Sequence, residues 1–254
     1  IHINLTSGKN VYFASDFHLG APNPQKSKER ELRVIQWLDI ISKDASDIFL
    51  VGDVFDFWFE YKHAIPKGFS RLQGKIASLA DSGINVHYFI GNHDMWVFNY
   101  FEEELGVKMY RDNTDFEFGG KKFLVGHGDG YGPGDYGYKF IKKVFTNPIS
   151  QWLFGWIHPN LGIGLANFWS GRSRSANSGS DEKFLGEENE WLAIYCKEIL
   201  ENKHYDYFIF GHRHLPLDLK VGENSRYLNL GEWINYNTYG VFDGKNLELK
   251  KFEN

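Results

Sequence analysis

A single cysteine, Cys196, stands in 254 residues, so the chain has no partner for an internal disulfide. That excludes a disulfide-stapled scaffold and fits a reducing compartment. Cys196 lies in WLAIYCKEIL, where a buried helical position is expected. Long apolar runs are also lacking: nothing approaches the ~18 residues a membrane-spanning helix needs. No signal-peptide pattern opens the chain, and it begins with Ile1 rather than Met, which leaves room for a few native residues ahead of it. An excess of positive charge is missing too. The net charge of −5 argues against a general nucleic-acid binder. No internal repeat recurs at a fixed period.

What is present is a globular composition, 42% hydrophobic and 24% charged, at a length that suits one large domain carrying a sizeable insertion. Aromatic residues reach 17%, with eight Trp, enough to suggest apolar ligand surface as well as core. Five short runs, VYFAS (11–15), IFLVG (48–52), VHYFIG (86–91), KFLVG (122–126) and YFIFG (207–211), are continuously apolar and end in Gly or polar residues. Such runs read as strands covered on both faces. Between them, Leu32, Ile35, Leu38 and Ile41 fall near helical spacing, as do Leu72, Ile76 and Leu79, with Gly83 as the stop of that second helix. The tail segments YLNLGEW, TYGVFDG and LELKKF alternate like antiparallel strands. The sum is an α/β layered domain over 1–254.

Residues 131–180 stand apart. Lys139, Lys142, Lys143, Arg172 and Arg174 against Asp135 give this stretch +4, so the remainder of the chain carries −9. Ile149, Trp152, Leu153, Trp156 and Ile157 make one helical stripe, and Leu161, Leu165, Phe168 and Trp169 repeat it, with Gly162 and Gly164 expected to loosen the second helix. Two readings are open: a basic, apolar helical insertion mounted on an acidic sheet domain, or a helix pair packed on the core.

Each of the five strand-like runs ends in a polar cluster. These are Asp16 and His18 in SDFHLG; Asp53 and Asp56 in GDVFDFW; Asn92, His93 and Asp94 in GNHDMW; His127 and Asp129 in GHGDG; and His212 and His214 in GHRHLP. In open α/β sheets, strand carboxyl ends deliver such groups to a common edge. Carboxylates, imidazoles and one amide oxygen, with no thiolate, suit hard or borderline divalent ions such as Mn²⁺, Fe²⁺ or Zn²⁺. The set is too large for one tetrahedral ion and large enough for two ions sharing a carboxylate, the usual clamp for displacement at phosphorus. Alone, each cluster could be a turn or a surface pair. Five in order, each after a strand, are hard to reach by accident. His2, His63, His87, His158 and His204 follow no such pattern and receive no role.

The ordered set resembles the calcineurin-like metallophosphoesterase superfamily, whose pattern is D-x-H, G-D-x-x-D, G-N-H-D/E, G-H and G-H-x-H. The resemblance implies a two-sheet β-sandwich flanked by helices with a binuclear metal centre at the strand ends. Residue by residue, it implies Asp16, His18, Asp53 and His214 on one metal and Asp53, Asn92, His127 and His212 on the other, with Asp53 bridging. Asp56 and Asp129 would orient ligands through hydrogen bonds. His93 would act on the phosphoryl group or leaving group without ligating metal, with Asp94 as its orienting partner. The metals, Mn²⁺ first with Fe²⁺ or Zn²⁺ as alternatives, would lower the pKa of bound water toward about 7.

The stretch HGDGYGPGDYGYKFIKKVFTNPISQWLF, with SGRSRSANS after it, resembles the UDP-2,3-diacylglucosamine hydrolases of lipid A biosynthesis. In that family a helical lid, here 131–180, caps the centre and holds two acyl chains. The resemblance places Asp135, Tyr138, Arg172 and Arg174 against substrate, an amphiphilic nucleotide-sugar lipid, and makes the reaction hydrolysis of its pyrophosphate to UMP and 2,3-diacylglucosamine 1-phosphate. It implies a cytoplasmic enzyme in transient peripheral contact with the inner membrane through the lid, with no nucleic-acid partner. Oligomeric state has no signal here. Many members carry Arg after the Asn ligand, where this chain has His93; the alternative is a related binuclear-metal phosphoesterase acting on another nucleotide or phosphodiester.

Overall fold

A computed structural model of the chain describes residues 1–132, 136–177, 184 and 186–253, with the backbone alone for 167–169 and 172–177. Among the described residues, twelve strands make two six-stranded sheets. The first sheet runs in the order β12 (Leu247–Lys251), β11 (Thr238–Phe242), β2 (Asn10–Ala14), β3 (Ala45–Val51), β4 (Asn85–Phe89), β5 (Lys108–Tyr110). The second runs β1 (His2–Ile3), β6 (Thr114–Phe118), β7 (Lys121–Val125), β8 (Tyr207–Phe210), β10 (Ser225–Leu230), β9 (Pro216–Gly222). β2 through β5 pair in parallel, as do β7, β8 and β10; antiparallel strands close one side of the first sheet and flank the parallel core of the second on both sides.

The continuous apolar runs have a direct cause. Along β2, Val11 and Phe13 face the opposite sheet, and Tyr12 and Ala14 face helices. Both faces are covered, so the strands need no polar side. The layer between the sheets is built from rings such as Phe13, Phe49, Phe118 and Phe123, with Phe13 and Phe49 stacked at 4.9 Å. Helices α1 (Pro24–Ile41), α2 (Ser70–Asp81) and α3 (Tyr100–Leu105) cover the first sheet. The second is covered by a later helix, Trp191–Leu200, which buries Cys196 against Phe208 and Phe210. That is the helical burial expected of this cysteine.

One sequence expectation needs correction. The α1 stripe is Val34, Trp37, Leu38 and Ile41, whereas Leu32 is 44% exposed. Asn23, whose side chain accepts from the Lys26 amide at 3.0 Å, caps the helix ahead of Pro24, and the buried face is the one that carries Val34 and Trp37. The tail strands β10, β11 and β12 each have an antiparallel neighbour as expected, and β10, in the other sheet, also pairs in parallel with β8. At the crossing, Trp233 is fully buried against Phe17 and Trp37 on the helix side of the first sheet, and the Glu232 carboxylate accepts from the amides of Asn235 and Tyr236, forming the corner.

Between β7 and the Trp191–Leu200 helix the chain carries three further helices, α4 (Tyr136–Phe145), α5 (Pro148–Gly155) and α6 (Pro159–Asn177); the helix over the second sheet is therefore α7. α6 runs through Gly162 and Gly164 without a break. These helices attach by a small aromatic cluster: Phe145 and Phe154 pack on Phe59, Met95 and Trp96, and the Trp96 indole N–H donates to the Phe145 carbonyl at 2.8 Å. The α5 stripe itself faces solvent, with Trp152 61% and Trp156 76% exposed. Among the described residues, ten of the fifteen exposed large apolar side chains lie within 136–165, on α4–α6 and the turn between α5 and α6. A helix pair packed on the core would hide that stripe, which here is open to solvent.

Candidate metal centre

The loops that follow β2, β3, β4, β7 and β8 meet at one edge of the sandwich. Backbone hydrogen bonds lace them together: the Asp16 amide to the Gly52 carbonyl at 3.0 Å, His18 to Asp53 at 2.9 Å, and Gly211 to His127 at 3.0 Å. Of the seven described non-glycine residues with positive φ, five are Asp16, His18, Asp53, His212 and His214. An L-residue held there is strained, and such strain persists where the surroundings over-determine the backbone. Two glycines are obligatory for the approach. A Cβ on Gly52 would lie 2.5 Å from the His127 ring nitrogen, and one on Gly91 would overlap the Asp53 carboxylate. Arg30 on α1 is buried and donates to the carbonyls of Phe17, His18 and Ala21, fixing the D-x-H loop from behind.

The donor atoms gather in two groups that share Asp53. In the first, His18 Nε2 lies 3.0 Å from His214 Nε2, 3.7 Å from Asp16 Oδ1 and 3.8 Å from Asp53 Oδ2, and His214 Nε2 lies 3.3 Å from Asp16 Oδ1. In the second, Asn92 Oδ1 lies 2.9 Å from His212 Nδ1 and 3.2 Å from His127 Nε2, which is 3.3 Å from Asp53 Oδ2. Ligands about 2.1 Å from a common ion at near-tetrahedral angles stand about 3.0–3.5 Å apart. Asp16 Oδ1 and Asp53 Oδ2 are buried with no hydrogen-bond partner. A buried, unmatched carboxylate oxygen is costly, and a divalent cation would compensate both. The residues present therefore fit two divalent ions. His127 is prepared for this: Nδ1 lies 2.9 Å from the Val51 carbonyl and donates to it, leaving the Nε2 lone pair on the donor side.

The electrostatics follow from burial and crowding. Burial alone would raise the Asp53 carboxyl, but the neighbouring His127, His93 and His18 hold it far below its usual range. Burial would lower His127, yet the Asp53 carboxylate beside it pushes the ring up to about 10. Burial, with His127 adding to it, lowers His212 to about 4, and burial lowers His93 to about 4. Fixed carboxylates beside the neutral His212 and His93 rings make the field a cation needs, and a cation bound there would displace the His127 proton.

His93 stands beside the first group, its ring edge-on to His18 at 4.8 Å between centroids. Its Nδ1 lies 3.0 Å from the Asp56 carbonyl oxygen and 3.7 Å from Asp56 Oδ1. The expected pairing with Asp94 is not made. Asp94 is fully buried and turned away, accepting from the Gly91 amide at 2.7 Å, the Val54 amide at 2.9 Å and the Tyr88 hydroxyl at 2.6 Å. It ties the β3 and β4 loops together, and burial with the nearby Asp53 charge raises it to about 6. Asp56 does flank the His18 ring, at 3.6 Å from Nδ1. Asp129 takes a different part from the one expected: it accepts from the Tyr138 hydroxyl at 2.5 Å and pairs with Lys142 at 2.6 Å, mooring α4 to the centre. Tyr138 thereby reaches the rim, 6.3 Å from the His212 ring. Asp135 lies outside the described residues, and Arg172 and Arg174 lie on α6 with side chains outside them. Sequence reasoning missed Arg30 and Ser170. Arg30 was detectable as a charge four residues before Val34 on the buried stripe; Ser170, whose hydroxyl meets Asp56 and His93, carries no sequence signal.

The family model for calcineurin-like phosphoesterases matches residues 9–216. The UDP-2,3-diacylglucosamine hydrolase of Porphyromonas gingivalis is 39% identical over 96% of this chain and 97% of its own length. The hydrolase of the same name from Yersinia pestis is 27% identical over 82% of each chain. Among solved structures, the phosphoesterase Yfce from E. coli overlays 94% of this chain and 90% of its own at a TM-score of 0.47 with 15% identity, too loosely to bear on function. The chain belongs to the calcineurin-like phosphoesterases and, within them, to the UDP-2,3-diacylglucosamine hydrolase family.

Proposed function

We propose that this chain is a hydrolase that cleaves the pyrophosphate of UDP-2,3-diacylglucosamine to UMP and 2,3-diacylglucosamine 1-phosphate, with two divalent ions, Mn²⁺ first and Fe²⁺ or Zn²⁺ as alternatives. The observation that carries the reading is the near-full-length likeness to the Porphyromonas gingivalis hydrolase, in a chain whose seven expected ligands converge.

Asp16, His18, Asp53 and His214 would hold one ion and Asp53, Asn92, His127 and His212 the other. When bound, the ions supply a nucleophile from water near neutral pH and offset charge on the phosphoryl oxygens. The protein's own part is to hold these groups at fixed orientation. His93, not an expected ligand, is held by Asp56 beside the reacting group, where it exchanges a proton or hydrogen bond with a phosphoryl or leaving oxygen. Tyr138 at the rim, with Asp135, Arg172 and Arg174, is assigned to the nucleotide-sugar. The exposed apolar face of α4–α6, with Lys139 and Lys143, is assigned to acyl chains and a transient contact with the inner face of the cytoplasmic membrane. Among the described residues no helix is long and apolar enough to cross a membrane.

His93 in place of Arg favours a second reading, a relative acting on another nucleotide or phosphodiester, because Arg offers a fixed fork to phosphate and His a movable proton. Turnover with added Mn²⁺ of UDP-2,3-diacylglucosamine, a dinucleoside polyphosphate and a chromogenic phosphodiester separates them. The lipid substrate is expected to be cleaved fastest; no cleavage of it would defeat the first reading.

A further inference from the structure

Helix α6 of the insertion brings Ser170, a buried residue, against the metal centre. Its hydroxyl oxygen lies 2.8 Å from Asp56 Oδ2 and 3.2 Å from His93 Nδ1. A hydroxyl has one hydrogen, and a carboxylate is the stronger acceptor. The hydrogen therefore goes to Asp56, and the serine lone pairs face His93. The other neighbour of His93 Nδ1, the Asp56 carbonyl oxygen at 3.0 Å, is an acceptor as well. A ring nitrogen between two acceptors must carry the hydrogen, so the neutral ring is the Nδ1–H tautomer with its lone pair on Nε2.

We infer that Ser170 is a positioning residue for hydrolysis: from the insertion, it fixes the tautomer and rotation of His93 together with Asp56. The helix that carries the exposed apolar face thus completes the hydrolytic centre instead of only covering it. Ser170 lies 77 residues from His93 and 114 from Asp56 in the chain and belongs to none of the five strand-end clusters. The rate effect rests on the hydrolase reading above; the tautomer does not.

The test compares Ser170→Ala, Ser170→Thr and Ser170→Cys. One readout is kcat and KM on a chromogenic phosphodiester with Mn²⁺. The other is the ring ¹⁵N spectrum of histidine-labelled protein loaded with diamagnetic Zn²⁺. Loss of an orienting partner is expected to lower kcat about tenfold in Ser170→Ala, with KM and metal content held within about twofold. The His93 Nδ1 signal should move from protonated toward a tautomer mixture. Threonine, which keeps the hydroxyl, should restore both; cysteine, a weak partner of similar size, should repeat the alanine result and serves in its place if the alanine variant does not fold. Unchanged kcat in the alanine or cysteine variant, a fall in kcat with the Nδ1 signal unmoved, or a folded, metal-loaded threonine variant that restores neither would each overturn the inference. Absence of turnover on the UDP-lipid with the ring signature intact would count against the proposed substrate and leave the role of Ser170 standing.

Discussion

Asp53 and His93 are 40 residues apart in the chain yet linked, since the His93 amide donates to Asp53 Oδ1 at 2.8 Å. They nevertheless predict opposite outcomes. Asp53 offers its other oxygen, buried and without a partner, to both donor groups. Asp53→Asn removes the shared charge while keeping the shape, so purified protein should hold well under two metals per chain by elemental mass spectrometry, and activity should vanish with them. His93→Ala leaves every expected ligand in place. Its turnover should fall by at least about a hundredfold, the lower end for a lost acid–base group, while metal content stays near that of the parent. Loss of metal from His93→Ala would instead make His93 a ligand. Asp94 predicts a third pattern. Its carboxylate accepts from two loop amides and Tyr88, so Asp94→Asn should appear first in stability, at about 1–3 kcal/mol for buried donors left poorly matched, read from the urea midpoint.

At the scale of elements, an aromatic cluster joins the start of the insertion to the frame. Trp96 is 7% exposed, packs against Phe59, Phe145 and Phe154, and caps the Phe145 carbonyl. Truncating a buried Trp costs about 3–5 kcal/mol. Because this cluster joins α4 and α5 to the frame rather than sheet to sheet, Trp96→Ala should raise amide exchange across 136–155 by tenfold or more while β2, β3 and β4 stay protected; uniform loss of protection would place Trp96 in the global core instead. The same element shows where the sequence was legible. The five carrier strands could be read because being covered on both faces makes a run continuously apolar, and the ligand set could be read because each cluster follows such a run directly. The insertion could be found from the spacing of Ile149, Trp152, Leu153 and Trp156, but periodicity cannot say which way a stripe faces, and this one faces out. Short edge strands such as β1 and β5 carry two and three residues, too few for any period. The contacts of Asp94, Asp129 and Ser170 depend on side chains brought together only by the finished fold, so neighbours in sequence misdirected the first and gave no hint of the last.

The whole molecule is an acidic sandwich, −9 outside 131–180, bearing a basic apolar insertion of +4. The sandwich hides one titrating group in its middle. His87 is fully buried, stacked on Phe49 at 4.1 Å, with Asp47 Oδ1 2.9 Å from Nε2 and the Tyr110 hydroxyl 3.0 Å from Nδ1. Burial lowers its pKa below the ordinary 6.5 despite Asp47. The unfolded chain therefore takes up this proton first as pH falls, so the contribution of His87 is intact above about 6.5 and is lost progressively below it. Thermal midpoints should decline from pH 7.5 to 5.5, and His87→Gln should flatten that decline while lowering the midpoint at pH 7.5. An unchanged slope would show that other groups set it. The insertion governs association instead. Trp152 and Trp156 lie edge to face at 5.9 Å on the outer side of the insertion, which also carries Lys139 and Lys143. A lysine at an anionic lipid surface contributes about 1 kcal/mol, an attraction that salt screens. A large apolar side chain that becomes fully buried contributes at least about 1.5 kcal/mol, so removing both indoles should cost more than the about 1.4 kcal/mol that is a tenfold change. Co-sedimentation with phosphatidylglycerol–phosphatidylethanolamine vesicles should therefore fall by tenfold or more in the double variant Trp152→Ser/Trp156→Ser. It should fall with salt in the parent, while cleavage of a soluble chromogenic phosphodiester is kept, because neither indole lies among the residues assigned to hydrolysis. Equal vesicle binding by parent and double variant would remove the membrane contact from the account and leave this face to the acyl chains alone.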